Sequence, residues 1–150
     1  PSRHGAYVTR NMSIRITISD SKVLKHQCIH YLFNTWVDKK IALEGESLAK
    51  LLLQVAVHGG RTLIHCRAGV GRTAAMALAI TMVRKSMLGV KPDIRELALD
   101  LRRSREGAIQ SDQQLIFAAY TTLLALRQLV DGHLAPALSD QIDAFAADLL

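Results

Sequence analysis

The sequence has little cysteine, few aromatic side chains and no long apolar run, and each shortage argues against a class of protein. Two cysteines in 150 residues are too few for the disulfide framework that stabilises many small secreted domains. One Trp, three Tyr and three Phe offer no row of rings on which nucleic-acid bases could stack. The longest strongly apolar run, residues 73–83, is too short to span a bilayer. The sequence therefore predicts no disulfide framework, no nucleic-acid partner and no membrane span.

What the chain does have is enough apolar sequence for one core. Hydrophobic residues make up 49% of its 150 residues, and no repeat, low-complexity run or internal boundary divides it. We therefore expect residues 1–150 to form a single domain. The net charge of +6 favours an acidic partner through electrostatic steering, although a generally basic surface explains it equally well.

One stretch, residues 62–73, concentrates the side chains that carry chemistry. It is typical of a short apolar strand over residues 62–64, a tight glycine-containing loop, and a helix that begins near Arg72. A loop of this length against a helix start points its backbone N–H groups at one spot, which suits a bound oxyanion. Gly69 and Gly71 allow close approach of the backbone or a positive φ. Arg72 can donate to two phosphate oxygens.

Cys66 stands at the start of this loop and is expected to face the same spot. A free thiol with a pKa of about 8.5 is little ionised at neutral pH, and helix N-termini and nearby cations lower that pKa. The loop amides, the helix dipole, Arg72 and Arg67 would act together on this sulfur. A thiolate here could attack phosphorus in line and form a phosphocysteine intermediate. The alternative is a buried cysteine in a strand-to-helix turn, which requires the surrounding His, Gly, Arg and Thr residues to coincide by chance.

The sequence His-Cys-Arg-Ala-Gly-Val-Gly-Arg-Thr, residues 65–73, resembles the signature loop of the cysteine-dependent protein tyrosine phosphatases. The resemblance extends from about Tyr31 to Tyr120. It implies a phosphotyrosine-containing protein or peptide as substrate, and it implies no metal and no cofactor, because the loop itself neutralises the phosphate. It also implies an α/β fold in which a twisted mixed β-sheet is flanked by helices on both faces. The loop would lie at the carboxyl end of the strand over residues 62–64.

The resemblance assigns a role to each residue of the loop. Thr73 would donate a hydrogen bond to the sulfur and ease its departure in the second step. His65 would order the loop from behind, with a satisfied core histidine as the alternative. The substrate phosphate would be bound by six consecutive residues, Arg67, Ala68, Gly69, Val70, Gly71 and Arg72.

A second family feature matches Trp36-Val37-Asp38, where the family has Trp-Pro-Asp in a mobile loop. The resemblance makes Asp38 the general acid that protonates the leaving phenolate, a role that typically contributes about 10²–10⁴-fold. Trp36 would support this loop. The missing proline could change loop closure and turnover without removing the acid. The alternative for Asp38 is a solvated loop aspartate.

A third family feature is a glutamine-bearing loop within residues 105–117. Gln110 would match the glutamine that places the water for hydrolysis of phosphocysteine. Gln114 would match a second glutamine that lines the site. Ser111 and Gln114 also have the spacing of a helix capping box, which alone could explain Gln114.

Apolar patterning predicts strands over residues 7–9, 14–18 and 23–35. On the third strand three possible metal ligands share one face by period two. No fourth ligand is evident, and a flat strand spaces the three awkwardly for a tetrahedron, so we expect strand residues and no metal. These three are His26, Cys28 and His30.

Helices are predicted to begin near Glu46, Thr73, Pro92 and Ser111, and a last one after Ser139 or Asp140. The Thr73 helix is apolar nearly all round, which predicts burial at the centre of the domain. The Pro92 helix ends in three arginines that we expect on a solvated face, with contact to phosphopeptide or bracing of the active-site loop as alternatives. They are Arg102, Arg103 and Arg105.

Other readings of the same loop stay open. Dual-specificity and inositol polyphosphate phosphatases carry similar loops, and the changed Trp36-Val37-Asp38 segment would also suit a phosphotyrosine-binding pseudophosphatase. The family's phosphotyrosine-stacking tyrosine is not found before Tyr7, so part of the N-terminal region is expected to be missing. Arg67 and the Thr73-Ala74 pair most resemble bacterial phosphatases secreted as effectors into host cells. A catalytic thiol favours a reducing compartment, hence a cytosolic location, including that of a host cell.

Overall fold

A computed structural model describes residues 2–4, 6–19, 22–37, 40, 42, 44–58, 60–130, 144 and 147. The chain divides into two compact units, residues 1–35 and residues 36–150. The first unit is built from β-strands and the second from helices. Each unit is described by itself.

The first unit is an antiparallel sheet with strand order β1-β2-β3, made of β1 (Ser2–His4), β2 (Tyr7–Ser19) and β3 (Lys22–Phe33). The sequence predicted two short strands with a break around residues 11–13, and this prediction is wrong. Residues 11–13 pair in register with β3, with Met12 opposite Cys28. The partner strand satisfies their backbone N–H and C=O groups, which keeps β2 continuous.

Side chains alternate between the two faces of the β2–β3 hairpin, and one face combines Met12, Ile14 and Ile16 of β2 with their cross-strand partners of β3, Cys28, His26 and Leu24. Ile14 and Ile16 of β2 lie on that face and are 37% and 51% exposed. The three residues considered for a metal, His26, Cys28 and His30, are on β3. Among the residues that the structure describes, no group of three His, Cys, Asp or Glu side chains could hold a metal ion.

The described part of the second unit has four helices, α1 (Gly45–Val57), α2 (Arg72–Met87), α3 (Ile94–Ser104) and α4 (Asp112–Val130). Helix α2 packs against the other three. Leu78 of α2 is fully buried, as are Leu52 of α1 and Leu124 of α4. The predicted central burial of α2 is confirmed, because a helix that is apolar on nearly all sides must be covered on nearly all sides.

The helix ends follow the sequence signals. The Asp93 side chain caps α3 by accepting two backbone N–H bonds at 2.9 and 3.0 Å. Gly89 follows α2 with a φ of 72°, the left-handed conformation that commonly ends a helix. None of the helices in the described ranges has the length and hydropathy that a bilayer-spanning segment needs. Of the helix predicted after Ser139 the structure describes residues 144 and 147, which are both helical, and the rest lies outside the described residues.

The predicted α/β class is confirmed, but two details of the sheet differ. Residues 62–64 were expected to form a strand and have no regular secondary structure, and the described sheet is antiparallel and not mixed. A strand needs a neighbour to pair with its backbone groups, and every described strand pairs within residues 1–35. Leu63 is consequently 90% exposed.

Candidate active site

The loop of residues 66–72, named here the Cys66 loop, joins a segment without regular secondary structure to the start of α2. Gly69 has a φ of 76°, a left-handed conformation that glycine adopts without steric cost. The Gly69 N–H thereby donates to Cys66 Sγ at 3.3 Å. This hydrogen bond joins the middle of the loop to the cysteine at its start.

The thiol of Cys66 is half-buried, and burial by itself raises its pKa. The Thr73 side chain and the backbone N–H groups of Thr73, Gly69 and Ala68 act in the opposite direction and lower the pKa to about 7. Each of these groups presents a hydrogen to the sulfur and therefore favours the thiolate. About half of the thiol is ionised at neutral pH, against a few per cent for an ordinary cysteine.

Thr73 is the second residue of α2, so its N–H is one of those that the helix itself cannot satisfy. Its hydroxyl oxygen is buried and makes no hydrogen bond other than the one toward the Cys66 sulfur among the described residues. The hydroxyl is therefore available to the ionised sulfur.

Arg72, the first residue of α2, donates from Nη1 to the carbonyl O of Trp36 at 2.7 Å. Trp36 is buried, its ring packs edge-on against Phe117 with centroids 5.3 Å apart, and its indole N–H donates to the Lys40 carbonyl at 2.7 Å. The arginine of the Cys66 loop is thus bonded to the segment that leads to the predicted acid. Asp38 itself lies outside the described residues.

Both predicted glutamines lie against Gly71. A Cβ added to Gly71 would be 2.5 Å from Gln110 Oε1 and 2.8 Å from Gln114 Nε2. Gln114 is 1% exposed, and its Oε1 accepts the Gln110 N–H at 2.9 Å. The Gln114 N–H donates to Ser111 Oγ at 3.3 Å, so that half of the capping box forms. The Gln114 side chain thus bonds the Gln110 backbone, and residue 71 must be glycine because any side chain there would collide with the two glutamines.

The loop before Gln110, residues 105–110, is fastened to the Cys66 loop at Ile109. The Ile109 N–H donates to the Val70 carbonyl at 2.8 Å, and its φ is 62°. A β-branched residue at positive φ is strained by about 1–3 kcal/mol, so the surroundings must hold it there. Arg102 does so by donating to the carbonyls of Ala108 and Ile109 at 3.1 and 3.2 Å.

The three arginines at the end of α3 were expected on a solvated face, with bracing of the active-site loop as an alternative, and the structure separates them. Arg102 binds carbonyls of the loop before Gln110, and Arg105 donates from Nη2 to the Ala68 carbonyl of the Cys66 loop at 3.2 Å. Arg103 is exposed and pairs with Asp100 of its own helix. Arg102 lies in the last turn of α3 and Arg105 is the residue that ends the helix, so only the fold shows that both reach the loops of the site.

The remaining predicted loop residues differ in exposure. Arg67 and His65 are exposed, and Val70 is half-buried. The alternative of a core histidine at His65 is therefore wrong, because a core side chain would be buried. Its ordering role stays a prediction.

A cysteine whose loop directs backbone N–H groups at its sulfur beside a helix N-terminus, with two glutamines packed on the loop, defines the class of site. The chain belongs to the protein-tyrosine phosphatase family, whose sequence model matches residues 2–124. The resemblance noted in the sequence is thus confirmed for the family.

Similar proteins include tyrosine-protein phosphatase non-receptor type 2 of Homo sapiens, 30% identical over 109 residues, which cover 69% of this chain and 26% of that protein. Type 7 of Homo sapiens is 30% identical over 106 residues, which cover 67% of this chain and 29% of that protein. The match thus spans little more than a quarter of each relative's length.

A solved protein tyrosine phosphatase of Trypanosoma brucei aligns with a TM-score of 0.69 at 24% identity, over 84% of this chain and 44% of that one. The Trypanosoma cruzi protein tyrosine phosphatase aligns with a TM-score of 0.64 at 22% identity, over 87% and 44%. At such identity these likenesses show the fold, which is that of the protein tyrosine phosphatases.

Proposed function

We propose that this chain hydrolyses phosphotyrosine in a protein or peptide through a phosphocysteine intermediate. The observation that carries the proposal is a Cys66 thiol with a pKa of about 7, surrounded by the N–H groups of Ala68, Gly69 and Thr73. Groups that stabilise a thiolate before reaction are also donors for the oxygens of a phosphoryl group.

In the first step the Cys66 thiolate attacks phosphorus, the S–P bond forms and the P–O bond to the tyrosine breaks. Asp38 donates its proton to the leaving phenolate. Arg72 and the N–H groups of the Cys66 loop stabilise the charge on the phosphate oxygens. Since Arg72 already bonds the Trp36 carbonyl at 2.7 Å, closure of the Asp38 segment and binding of phosphate would involve the same side chain.

In the second step a water attacks phosphorus, the S–P bond breaks and inorganic phosphate leaves. Gln110 places the water and Asp38, now ionised, takes its proton. Thr73 stabilises the departing thiolate. The loop supplies the neutralisation that magnesium supplies in kinases, so we expect no dependence on a metal or cofactor.

The test is phosphate release from phosphotyrosine, phosphoserine and inositol phosphate substrates, with parent, Cys66→Ser and Asp38→Ala proteins. We expect the parent to prefer phosphotyrosine, Cys66→Ser to be inactive, and Asp38→Ala to be slower by about 10²-fold with binding largely kept. Unchanged turnover of Asp38→Ala would contradict the acid assignment.

The same panel separates the other readings. Release from phosphoserine would indicate a dual-specificity enzyme, and release from inositol phosphates an inositol polyphosphate phosphatase. A parent that releases no phosphate, yet binds phosphopeptide as tightly as Cys66→Ser, would be a pseudophosphatase.

A thiolate nucleophile must stay reduced, so we infer action in a reducing, cytosolic compartment. The chain's bacterial origin and its delivery into a host cell stay predictions from Arg67 and the Thr73-Ala74 pair. The similar proteins named above are from mammals and trypanosomes.

A further inference from the structure

Arg105 contacts the Cys66 loop from the end of α3, and the proposed reaction gives it no role. Its Nη2 donates to the Ala68 carbonyl O at 3.2 Å. A Cβ added to Gly69 would lie 3.5 Å from the same nitrogen. The guanidinium therefore lies against the peptide group that joins Ala68 to Gly69.

The Ala68 carbonyl and the Gly69 N–H belong to that one peptide group. In a trans peptide these two bonds point in opposite directions. The guanidinium lies on the carbonyl side, and Cys66 Sγ accepts from the N–H side at 3.3 Å. Turning this peptide would break both hydrogen bonds together.

We propose that Arg105 is a positioning residue for the nucleophile, because it holds the Ala68–Gly69 peptide with its N–H on the Cys66 sulfur. Glycine permits both signs of φ, so Gly69 alone does not hold the peptide in one orientation. A donor on the carbonyl also polarises the peptide and strengthens its N–H as a donor. The inference builds on the proposed function, but its readout is the thiol and not phosphate release.

Other charged and titratable residues neighbour Cys66 or Arg105 in the chain or belong to the proposed mechanism. They stay unchanged in every variant below, so a difference between variants reports Arg105. These groups are His65, Arg67, Arg72, Glu106 and, by the proposed mechanism, Asp38.

The experiment measures the alkylation rate of Cys66 by iodoacetamide between about pH 5 and about pH 9. All proteins carry Cys28→Ser, so that Cys66 is the thiol that reacts. Arg105→Ala should raise the pKa of Cys66 and slow alkylation near pH 6 by about 3- to 10-fold, the loss of one hydrogen bond to the thiolate. Arg105 is exposed, so its removal leaves the core intact.

Arg103→Ala is the matched control, since Arg103 is exposed on the same helix and pairs with Asp100. Its titration should equal that of the parent. An unchanged titration in Arg105→Ala, or an equal shift in Arg103→Ala, would overturn the proposal. So would a shift that disappears in about 0.5 M NaCl, because salt screens a distant charge and not a hydrogen bond.

The two proposals can fail separately. If the parent releases no phosphate and Arg105→Ala still shifts the thiol titration, the proposed function fails and the role of Arg105 stands. If the parent releases phosphate and the thiol titration of Arg105→Ala equals that of the parent, the proposed function stands and the role of Arg105 fails.

Discussion

At the scale of single residues, the reactivity of the site depends on hydrogen-bond donors around one sulfur. Burial raises the pKa of Cys66, whereas the Thr73 side chain and three backbone N–H groups lower it to about 7. Backbone donors are held by the fold, so they need no reorganisation when charge forms. The same donors that ionise the thiol are available to a phosphoryl group.

The pH dependence of the reaction follows from this pKa. The reactive form is the thiolate, so in an Asp38→Ala protein, which lacks the titrating acid, kcat/KM toward an aryl phosphate should rise with pH through about 7. A rate measured near pH 6 should be about tenfold below the plateau, since one unit below the pKa leaves about a tenth of the thiol ionised. The measurement is the initial rate across the pH range. A rate that rises only near the usual cysteine pKa, well above 7, would contradict the lowered pKa of Cys66.

At the scale of elements, α3 fastens the two loops of the site. Arg102 binds two carbonyls of the loop before Gln110, and the Ile109 N–H joins that loop to Val70 of the Cys66 loop. The peptide groups before and after Ile109 thus both make hydrogen bonds, and these keep the residue at its strained φ of 62°. Gln110 follows directly, so its position depends on this attachment.

Arg102→Ala should therefore affect the second chemical step more than the first. With its carbonyl partners lost, Ile109 can relax and Gln110 no longer places the water, so turnover should fall by about tenfold or more. Phosphocysteine should accumulate, which a larger pre-steady-state burst of phenol relative to turnover would show. Arg103→Ala is the control. Equal turnover and burst size in the two variants would contradict a positioning role for Arg102.

At the scale of the whole molecule, the site depends on the helical unit of residues 36–150. Helix α2 begins with Arg72 and Thr73 of the site and packs against α1, α3 and α4. Phe117 of α4 supports Trp36, whose carbonyl binds Arg72. A loop that must hold backbone donors in one geometry needs such a rigid base.

Two leucines, one within α2 and one just after it, allow a matched comparison of stability. Leu78 of α2 is fully buried, whereas Leu88 just after α2 is 80% exposed. Leu78→Ala should lower the free energy of unfolding by about 2–5 kcal/mol because it leaves a cavity. Leu88→Ala should change it by less than about 0.5 kcal/mol. Urea unfolding followed by circular dichroism measures both, and equal effects would contradict the central position of α2.

The local signals that the sequence carries were sufficient for much of the fold and for the choice of site residues. The helices predicted to begin near Thr73 and Pro92 correspond to α2 and α3, because caps and apolar stripes act over a few residues. The Cys66 loop was identifiable because its chemistry is contiguous. Gln110 and Gln114 were identified by the resemblance, and the structure brings them to Gly71.

Tertiary structure alone decided what depends on partners distant in the chain. Residues 11–13 are strand because β3 pairs with them, and residues 62–64 are not strand because no described strand does. The attachments of Arg102 and Arg105 to the two loops and the positive φ of Ile109 also needed the fold. Local sequence sets the conformational preference of a segment, but whether its polar groups are satisfied depends on which other segments the fold brings to it.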